Sequence, residues 1–139
     1  MPPTANDIDY RLAFDLAPIG MVLSRNRTMV DCNQRVCEMF GVSREQLIGQ
    51  TFQLLYPSVD EYERTGQRIA PLLNTNGVYA DDRVMKRVDG RLKGETFWCH
   101  VTGRALGISH RTVEIYRVKL MRKYQASGAA DLIQKLVRG

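Results

Sequence analysis

The residues whose chemistry is easiest to interpret form a basic segment near the carboxyl end of the sequence, at 107–124. Gly107 suits a turn, and Ser109 after it can accept a hydrogen bond from an amide in the first turn of a helix. Val113, Leu120 and Tyr124 recur at helical spacing and predict a buried stripe. The cations around this stripe are Arg111, Arg117, Lys119, Arg122 and Lys123. The pattern predicts a helix that packs through one side and faces phosphates with the other, or an amphipathic helix whose charged side is only solvated.

Charge is distributed unevenly along the 139 residues. Positions 1–103 hold 12 Lys and Arg against 13 Asp and Glu, whereas positions 104–139 hold 8 against 2. The net charges are −1 and +6, so the +5 of the whole chain comes from the second segment. The sequence therefore predicts a nearly neutral module followed by a segment that faces a polyanion.

The basic segment resembles a known DNA-binding motif. The run Leu106-Gly107-Ile108-Ser109, the pair Thr112-Val113 and the later Leu120-Met121 and Lys123-Tyr124 resemble the recognition-helix half of a LuxR-type helix-turn-helix. The resemblance implies DNA as a partner, with some side chains reading base edges and others holding phosphates. The implied base-reading residues are Glu114, Ile115 and Val118; the implied phosphate-binding residues are Arg111, Thr112, Tyr116, Lys119 and Lys123, with Ser109 as the cap. A solvated glutamate is an equally good interpretation of position 114.

No combination of nucleophile, acid and base indicates an enzyme, so no catalytic residue is predicted. His100 and His110 are the only histidines and lie outside any metal motif. Cys99 and His100 alternate across the faces of a predicted strand, so they cannot easily hold one metal ion together. Cys32 and Cys37 have no second pair, which makes zinc a poor interpretation. Three cysteines without a spaced framework favour free thiols in a reducing cytoplasm.

The residues ahead of the basic segment predict short helices and strands. Asn33 and Gly41 suit the two caps of a helix, and Ser43 and Ser58 each begin a capping box. The predicted elements are a helix at 7–16, strands at 19–24 and 28–32, helices at 34–40, 43–49 and 58–73, and strands at 78–88 and 95–105. This order predicts an α+β fold, with helices segregated to one face of an antiparallel sheet. No run approaches the roughly 18 apolar residues of a membrane span.

The same residues resemble a PAS domain. The resemblance is carried by Phe14-Asp-Leu-Ala-Pro-Ile-Gly-Met21, by Asn33 with Met39-Phe-Gly-Val-Ser-Arg-Glu-Gln-Leu-Ile-Gly49, and by Asp89-Gly90 ahead of Phe97-Trp-Cys-His100. It divides the chain into a PAS-like sensor domain at 8–103 and a partial LuxR-type helix-turn-helix at 104–139. It implies a PAS-like antiparallel sheet with short helices on one face, followed by a small helical C-terminal segment. PAS domains sense small molecules or light, or act as dimerisation modules.

A PAS pocket would lie between the sheet and the short helices. The residues predicted to line it are Met21, Leu23, Met39, Phe52, Leu55 and Trp98. These residues could equally be ordinary core, because Met fills irregular gaps without needing a ligand. Asp31-Cys32-Asn33-Gln34 does not match the reactive-cysteine motif of flavin photoreceptors, and no histidine occupies an obvious haem-ligand position. The cofactor is therefore left unknown, with flavin and haem unsupported.

The resemblance is interrupted where its two parts join, at Arg104-Ala105-Leu106. A PAS sheet normally continues with another strand after the one equivalent to 97–103, and a LuxR-type motif normally has two helices before its turn. Both are predicted to be missing, which suggests an internally shortened form of a longer regulator. An absent closing strand would leave an unpaired sheet edge, so we expect a homodimer with helices at 112–124 and 131–137 near its contact.

Two functions follow from these patterns. The first is a cytoplasmic transcription regulator in which a PAS sensor is coupled to a LuxR-type DNA-binding helix. The second is a PAS signalling or dimerisation module that cannot bind DNA alone because its helix-turn-helix is incomplete. An enzyme is a weak third, since it lacks a catalytic set.

Overall fold

The chain forms one antiparallel sheet with helices on one of its faces. The computed structural model describes residues 5–88, 94–107 and 110–119. The helices are α1 (Ala5–Leu16), α2 (Gln34–Phe40), α3 (Arg44–Leu47) and α4 (Val59–Asn76), with a 3-10 helix at Phe52–Leu55. The strands are β1 (Gly20–Arg25), β2 (Thr28–Cys32), β3 (Val78–Lys86), β4 (Thr96–Ala105) and β5 (Arg111–Val118). The predicted α+β, PAS-like sheet with short helices is confirmed.

The helix ends follow the capping residues of the sequence. Asn33 precedes α2 and its side chain accepts from the amide of Val36, while Gly41 ends the helix at a φ of 66°. Ser43 and Gln46 form a complete capping box at α3. Ser58 accepts from the amide of Glu61 at the start of α4. These local bonds satisfy backbone groups that helix ends leave free, which is why short helices are stable here.

The strand order in the sheet is β2-β1-β5-β4-β3. β5 pairs antiparallel with β1, from Gly20 opposite Tyr116 to Arg25 opposite Arg111. It also pairs with β4, from Cys99 opposite Val118 to Ala105 opposite Thr112. The central strand of the sheet is therefore the last strand in the described part of the chain.

The helix predicted from Ser109 is wrong for Arg111–Val118, which form β5. The predicted absence of a closing strand is wrong as well, because β5 supplies it. Tertiary structure decides this segment: a strand here satisfies the backbone groups of both β1 and β4, which a helix would leave unpaired. Ser109, Lys123 and the helix predicted at 131–137 lie outside the described residues.

The two faces of the sheet have different surroundings. The inner face of β4 carries Phe97, Cys99 and Val101, all buried, and packs with the helices into the core. Phe40 of α2 contacts Phe97 at 5.5 Å and Tyr116 at 5.9 Å between ring centroids. The outer face carries half-buried residues such as Met21, Leu23, Trp98, Val113 and Ile115.

Candidate functional site

A cleft of about 600 Å³ lies at one end of the inner face. Its walls come from β3, the end of β4, β5, the 3-10 helix, α4 and the turns that join β1 to β2 and β4 to β5. The lining residues include Ser24, Asn26, Arg27, Phe52, Tyr56, Thr65, Gly66, Ile69, Leu73, Asn74, Tyr79, Arg83, Gly107, His110, Arg111, Thr112 and Glu114. This volume is in the range of small-molecule sites in proteins.

A buried ion pair between Arg83 and Glu114 forms the centre of the cleft wall. Arg83 on β3 and Glu114 on β5 are 4% and 5% exposed. The Nη1 of Arg83 donates to Glu114 Oε2 at 3.0 Å and to the Tyr56 hydroxyl at 3.1 Å. Its Nε donates to Asp81 Oδ1 at 2.8 Å. Charges buried this deeply require partners, and the two side chains supply them to each other across the sheet.

Two tyrosines complete the hydrogen bonding of Glu114. Tyr116 donates to Glu114 Oε1 at 2.8 Å, and Tyr79 donates to Oε2. The Tyr79 ring lies over Gly103 on the neighbouring strand, where a Cβ atom would come within 2.1 Å of the ring. A glycine is therefore needed opposite Tyr79. Together these bonds hold the carboxylate in one position at the cleft wall.

The electrostatics of this cluster favour one protonation state. Burial would lower the pKa of Arg83, but Glu114, Asp81 and the phenols of Tyr56 and Tyr116 together more than offset it, so the pKa lies well above its usual value. Burial, followed by the charge of Glu114, raises the pKa of Tyr79 and of Tyr116 far above the ordinary range. The cluster consequently keeps a charged guanidinium and neutral phenols at physiological pH.

Two guanidinium nitrogens near the cleft lack a hydrogen-bond partner among the described residues. They are Arg83 Nη2 and Arg111 Nε, and both are buried. Leaving a buried donor unserved costs about 1–3 kcal/mol, and more when the group is charged. Both arginines belong to the wall of the cleft.

The turn between β1 and β2 forms one wall of the cleft. Asn26 and Arg27 adopt φ values of 50° and 65°, which produces the tight reversal expected for adjacent antiparallel strands. The Arg27 guanidinium lies 3.8 Å from the Tyr62 ring centroid and donates to the Tyr62 carbonyl at 3.0 Å. A Cβ at Gly66 would come within 2.7 Å of that guanidinium. The turn is thereby fixed against α4.

The structure brings only one of the six predicted pocket residues to the cleft. Phe52 lines it. Leu55 is fully buried in the core, and Met39 packs against that core beside Gly20. Met21, Leu23 and Trp98 lie on the outer face of the sheet, because alternate residues of a strand point to opposite sides.

Sequence reasoning missed Arg83 as a site residue and did not identify Glu114 as a lining residue of the cleft. The available signal was alternation: Arg83 lies between the buried residues Tyr79 and Met85 on the same face of β3, and Glu114 precedes Tyr116 in the same way on β5. A charged residue at an inward position indicates a buried polar site.

The residues predicted to bind DNA are divided between the two faces of β5. Arg111, Thr112 and Glu114 line the cleft, and Tyr116 is fully buried. Ile115 lies on the outer face, Val118 is 36% exposed at the end of the strand, and Lys119 donates to Asp82 at 2.7 Å. Glu114 and Tyr116 cannot reach a nucleic acid in this conformation, because the sheet and the core enclose them.

The cysteines and His100 do not form a reactive site in the structure. The Sγ atoms of Cys32 and Cys37 are 4.0 Å apart, and burial together with Cys37 raises the pKa of Cys32 to about 12. Such thiols carry almost no thiolate at neutral pH. His100 points away from Cys99 and contacts Asp82 at 2.8 Å. Within the described part of the chain, no three His, Cys, Asp or Glu side chains form a group that could hold a metal ion.

The chain belongs to the PAS domain family, whose model matches residues 18–120. It is 32% identical over 101 residues to the sensor protein TdiS of Thauera aromatica; the match covers 73% of this chain and 18% of TdiS. The chain thus spans about a fifth of the length of that relative. Of the helices in the described residues, none has the length and apolar character needed to cross a membrane.

Two solved structures show the same fold. One is the PAS domain, in complex with ethanol, of a LuxR-family transcriptional regulator from Burkholderia thailandensis. It is 50% identical with a TM-score of 0.71, and the match covers 79% of this chain and 96% of that one. The other is a PAS domain from Colwellia psychrerythraea, 20% identical with a TM-score of 0.70, covering 81% and 95%. The chain is therefore a PAS sensor domain.

Proposed function

We propose that this chain binds a small molecule in the cleft and acts as the sensor of a LuxR-type transcription regulator. The observation that carries the proposal is the cleft itself, about 600 Å³ in volume and lined by a fixed polar cluster around Arg83 and Glu114. A rigid polar cluster beside apolar walls is the usual construction of a small-molecule site. The LuxR-family relative from Burkholderia thailandensis, whose PAS domain is in complex with ethanol, supports the type of output.

Binding is tested first on the protein as purified. Native mass spectrometry detects any retained molecule, and an absorbance spectrum detects a chromophore. A retained molecule that is lost after Thr65→Trp, which fills the cleft from α4, would support the proposal. A matched Thr75→Trp variant changes an exposed residue of the same helix that does not line the cleft. Retention that is equal in both variants would contradict binding in the cleft.

Coupling to DNA is the second part of the proposal. The net charge of +6 over residues 104–139 and the LuxR-type run around Thr112-Val113 support DNA as the partner. Lys119 and Lys123 are the proposed phosphate contacts. Ser109, Ile115 and Val118 belong to the same proposed interface, whereas Arg111 lines the cleft. Such a regulator would act in the cytoplasm.

A signalling module that does not bind DNA by itself is the second candidate. The observation that favours it is the incorporation of Arg111–Val118 into the sheet as β5, which encloses Glu114 and Tyr116. DNA binding through these two side chains would require β5 to leave the sheet and give up its pairing with both neighbours. The module would then pass its signal through contacts with another protein chain.

Fluorescence anisotropy with a labelled duplex, at low and at physiological salt, distinguishes the two candidates. A regulator that binds DNA predicts affinity that falls steeply with salt, and Lys123→Ala should lower the salt slope by about one. Lys86→Ala, outside the basic segment, is the control. Negligible binding by all three proteins would contradict the DNA role and support the signalling module.

Self-association is a further proposal. With β5 in the sheet, the unpaired edge invoked from the sequence is not its basis. The support is the apolar surface of the described residues: Tyr10 and Leu16 of α1 are each 73% exposed and Val78 is 46% exposed, while the outer face adds half-buried Met21 and Ile115. Light scattering at tens of micromolar tests the homodimer, and Ile115→Lys should reduce it to monomer. A wild-type monomer at that concentration would contradict this proposal.

A further inference from the structure

The Nη2 nitrogen of Arg83 has no hydrogen-bond acceptor among the described residues. The Nε and Nη1 of the same side chain donate to Asp81, Tyr56 and Glu114, whereas Nη2 has no partner among residues 5–88, 94–107 and 110–119. The side chain is only 2% exposed, so bulk solvent reaches this nitrogen poorly. Because Arg83 also lines the cleft, a molecule in the cleft can supply the missing acceptor.

The charges around the cleft are unbalanced toward positive. Among the described residues, the lining arginines are Arg27, Arg83 and Arg111 and the lining carboxylate is Glu114, whereas Asp81, which also bonds to Arg83, does not line the cleft. Both oxygens of Glu114 already accept hydrogen bonds, Oε1 from Tyr116 and Oε2 from Tyr79 and Arg83. With three of its about four acceptor sites occupied, Glu114 offers little to a positively charged ligand, which would also meet an excess of guanidinium groups. An anion would be attracted by the guanidinium groups and could accept hydrogen bonds from them.

The other lining side chains indicate which groups the rest of the ligand should carry. Ser24, Thr65 and Thr112 contribute hydroxyl groups, while Phe52, Ile69 and Leu73 contribute apolar surface. A molecule that uses the whole cleft therefore needs one charged head and a short apolar body. A phosphate lacks the apolar body, and its second charge would meet the carboxylate of Glu114.

We infer that the ligand class of this cleft is a small organic carboxylate, whose head bonds with Nη2 of Arg83 and whose body lies against Phe52, Ile69 and Leu73. This inference rests on the proposed function, that the cleft binds a small molecule, and specifies the chemistry of that molecule. Arg111, with a buried Nε that lacks a partner among the described residues, supplies a second cationic group for the head.

The test is isothermal titration calorimetry of the full chain with matched probes. Acetate, butyrate and hexanoate vary the body, hexanamide and hexanol replace the charged head by neutral ones, and inorganic phosphate is an anion without a body. We expect affinity to rise from acetate to hexanoate, with hexanamide, hexanol and phosphate at least about tenfold weaker than hexanoate because they lack the charge or the apolar contact.

Variants locate the binding. Arg83→Gln should weaken hexanoate at least about tenfold and leave hexanamide nearly unchanged. Arg68→Gln is the matched control, because Arg68 bonds the same Asp81 but does not line the cleft. If Arg83→Gln fails to fold, as judged by the fluorescence of Trp98, Leu73→Gln replaces it. That variant should remove the gain from acetate to hexanoate.

Three outcomes would overturn the inference. Neutral probes that bind as tightly as hexanoate would exclude a carboxylate and leave the sensor proposal standing. Hexanoate binding that Arg68→Gln weakens as much as Arg83→Gln would place the anion outside the cleft and would also leave the sensor proposal standing. Binding of no probe, with no retained molecule and no difference between the Thr65 and Thr75 variants, would overturn the inference and the sensor proposal together.

Discussion

Two charged clusters lie on opposite faces of the sheet and differ chiefly in their exposure to water. On the inner face, the side chains of Arg83 and Glu114 are 2% and 6% exposed. On the outer face, Asp82 accepts from Lys119 and contacts His100, and these side chains are 27%, 35% and 38% exposed. Asp82 and Arg83 are consecutive residues of β3, so the pleat of one strand assigns them to different environments.

The comparison shows why similar ion pairs have different consequences. In the outer cluster water screens the charges, so each pair contributes little and either partner can be removed at small cost. In the inner cluster each charge depends on the other, since the surrounding protein cannot solvate it alone. A buried pair of this kind is weak evidence for stability. Its presence beside the cleft is what the proposed ligand site requires.

Removing the carboxylate of the inner pair should have the largest effect. Glu114→Ala leaves Arg83 buried without its main counter-charge, and we expect a loss of about 3–5 kcal/mol in the free energy of unfolding. Urea denaturation monitored by circular dichroism measures it. The double variant Arg83→Met, Glu114→Leu is the control and should recover much of the loss. A loss below about 1 kcal/mol for Glu114→Ala, typical of an exposed pair, would contradict the comparison.

Removing one hydroxyl from the inner cluster should have a smaller effect. Tyr79→Phe deletes the donor to Glu114 Oε2 and keeps the ring. A hydrogen bond to a charged group is worth about 1.5–3 kcal/mol, so a destabilisation in that range is expected in urea. Tyr10→Phe, at a tyrosine that is 73% exposed, is the matched control and should change nothing. If Tyr79→Phe and Tyr10→Phe unfold at the same urea concentration, the hydrogen bond from Tyr79 does not stabilise the inner cluster.

Crowding the glycine beneath Tyr79 should disturb the same network through packing. A Cβ at position 103 would come within 2.1 Å of the ring, and overpacking of this kind costs about 1–3 kcal/mol. Gly103→Ala is therefore expected to lower the urea midpoint. The effect should disappear when Tyr79→Ala is already present, because the clashing ring is gone. An undiminished loss in the double variant would assign the cost to the backbone of β4 instead.

The outer cluster should give the smallest effect, and one that depends on pH. Hydrogen bonds from Lys119 and His100 hold the pKa of Asp82 below its ordinary value of 3.8. A carboxylate with a lowered folded pKa stabilises the fold above its unfolded pKa, and this contribution is lost as the pH falls through the folded value. Asp82→Asn should therefore cost at most about 1 kcal/mol at pH 7.

Measuring the effect of Asp82→Asn at two pH values tests the role of its carboxylate. Urea unfolding of wild type and Asp82→Asn at pH 7 and at pH 2.5 should show a difference at the higher pH that shrinks at the lower one. Asp9→Asn, at an exposed residue of α1, corrects for the change of charge. A difference that grows as the pH falls would have the wrong sign and would exclude the assigned role of Asp82.

Much of the fold could be predicted because it depends on local contacts. The capping boxes at Ser43 and Ser58 satisfy backbone amides within three residues, so their effect is visible in any window of sequence. The strands at β1 and β2 are bounded by turn residues, and the observed Gly20–Arg25 and Thr28–Cys32 confirm them. The cleft was not predictable in the same way, because its central pair joins residues on strands that are distant in sequence.

The segment at 111–118 was misread because two signals competed there. Basic residues, a cap at Ser109 and a LuxR-type run favoured a helix, whereas Thr112, Val113, Ile115, Tyr116 and Val118 are residues enriched in strands. Alternation was also present, with Glu114 and Tyr116 inward and Val113 and Ile115 outward. Because Glu114 is charged, its inward position does not fit an apolar alternation, and the strand is recognised only when Arg83 on β3 is known to be its partner.

The sequence by itself determined the capped helices, the first four strands and the α+β class, since propensity and capping act over a few residues. Only the tertiary structure decided that 111–118 forms the central strand, because that strand is stabilised by pairing with β1, about ninety positions earlier in the chain, and with β4. Tertiary structure likewise decided whether Glu114 is exposed to solvent or buried. The same residue would be a solvated anion on an isolated helix, and becomes half of a buried ion pair when the sheet brings it to Arg83.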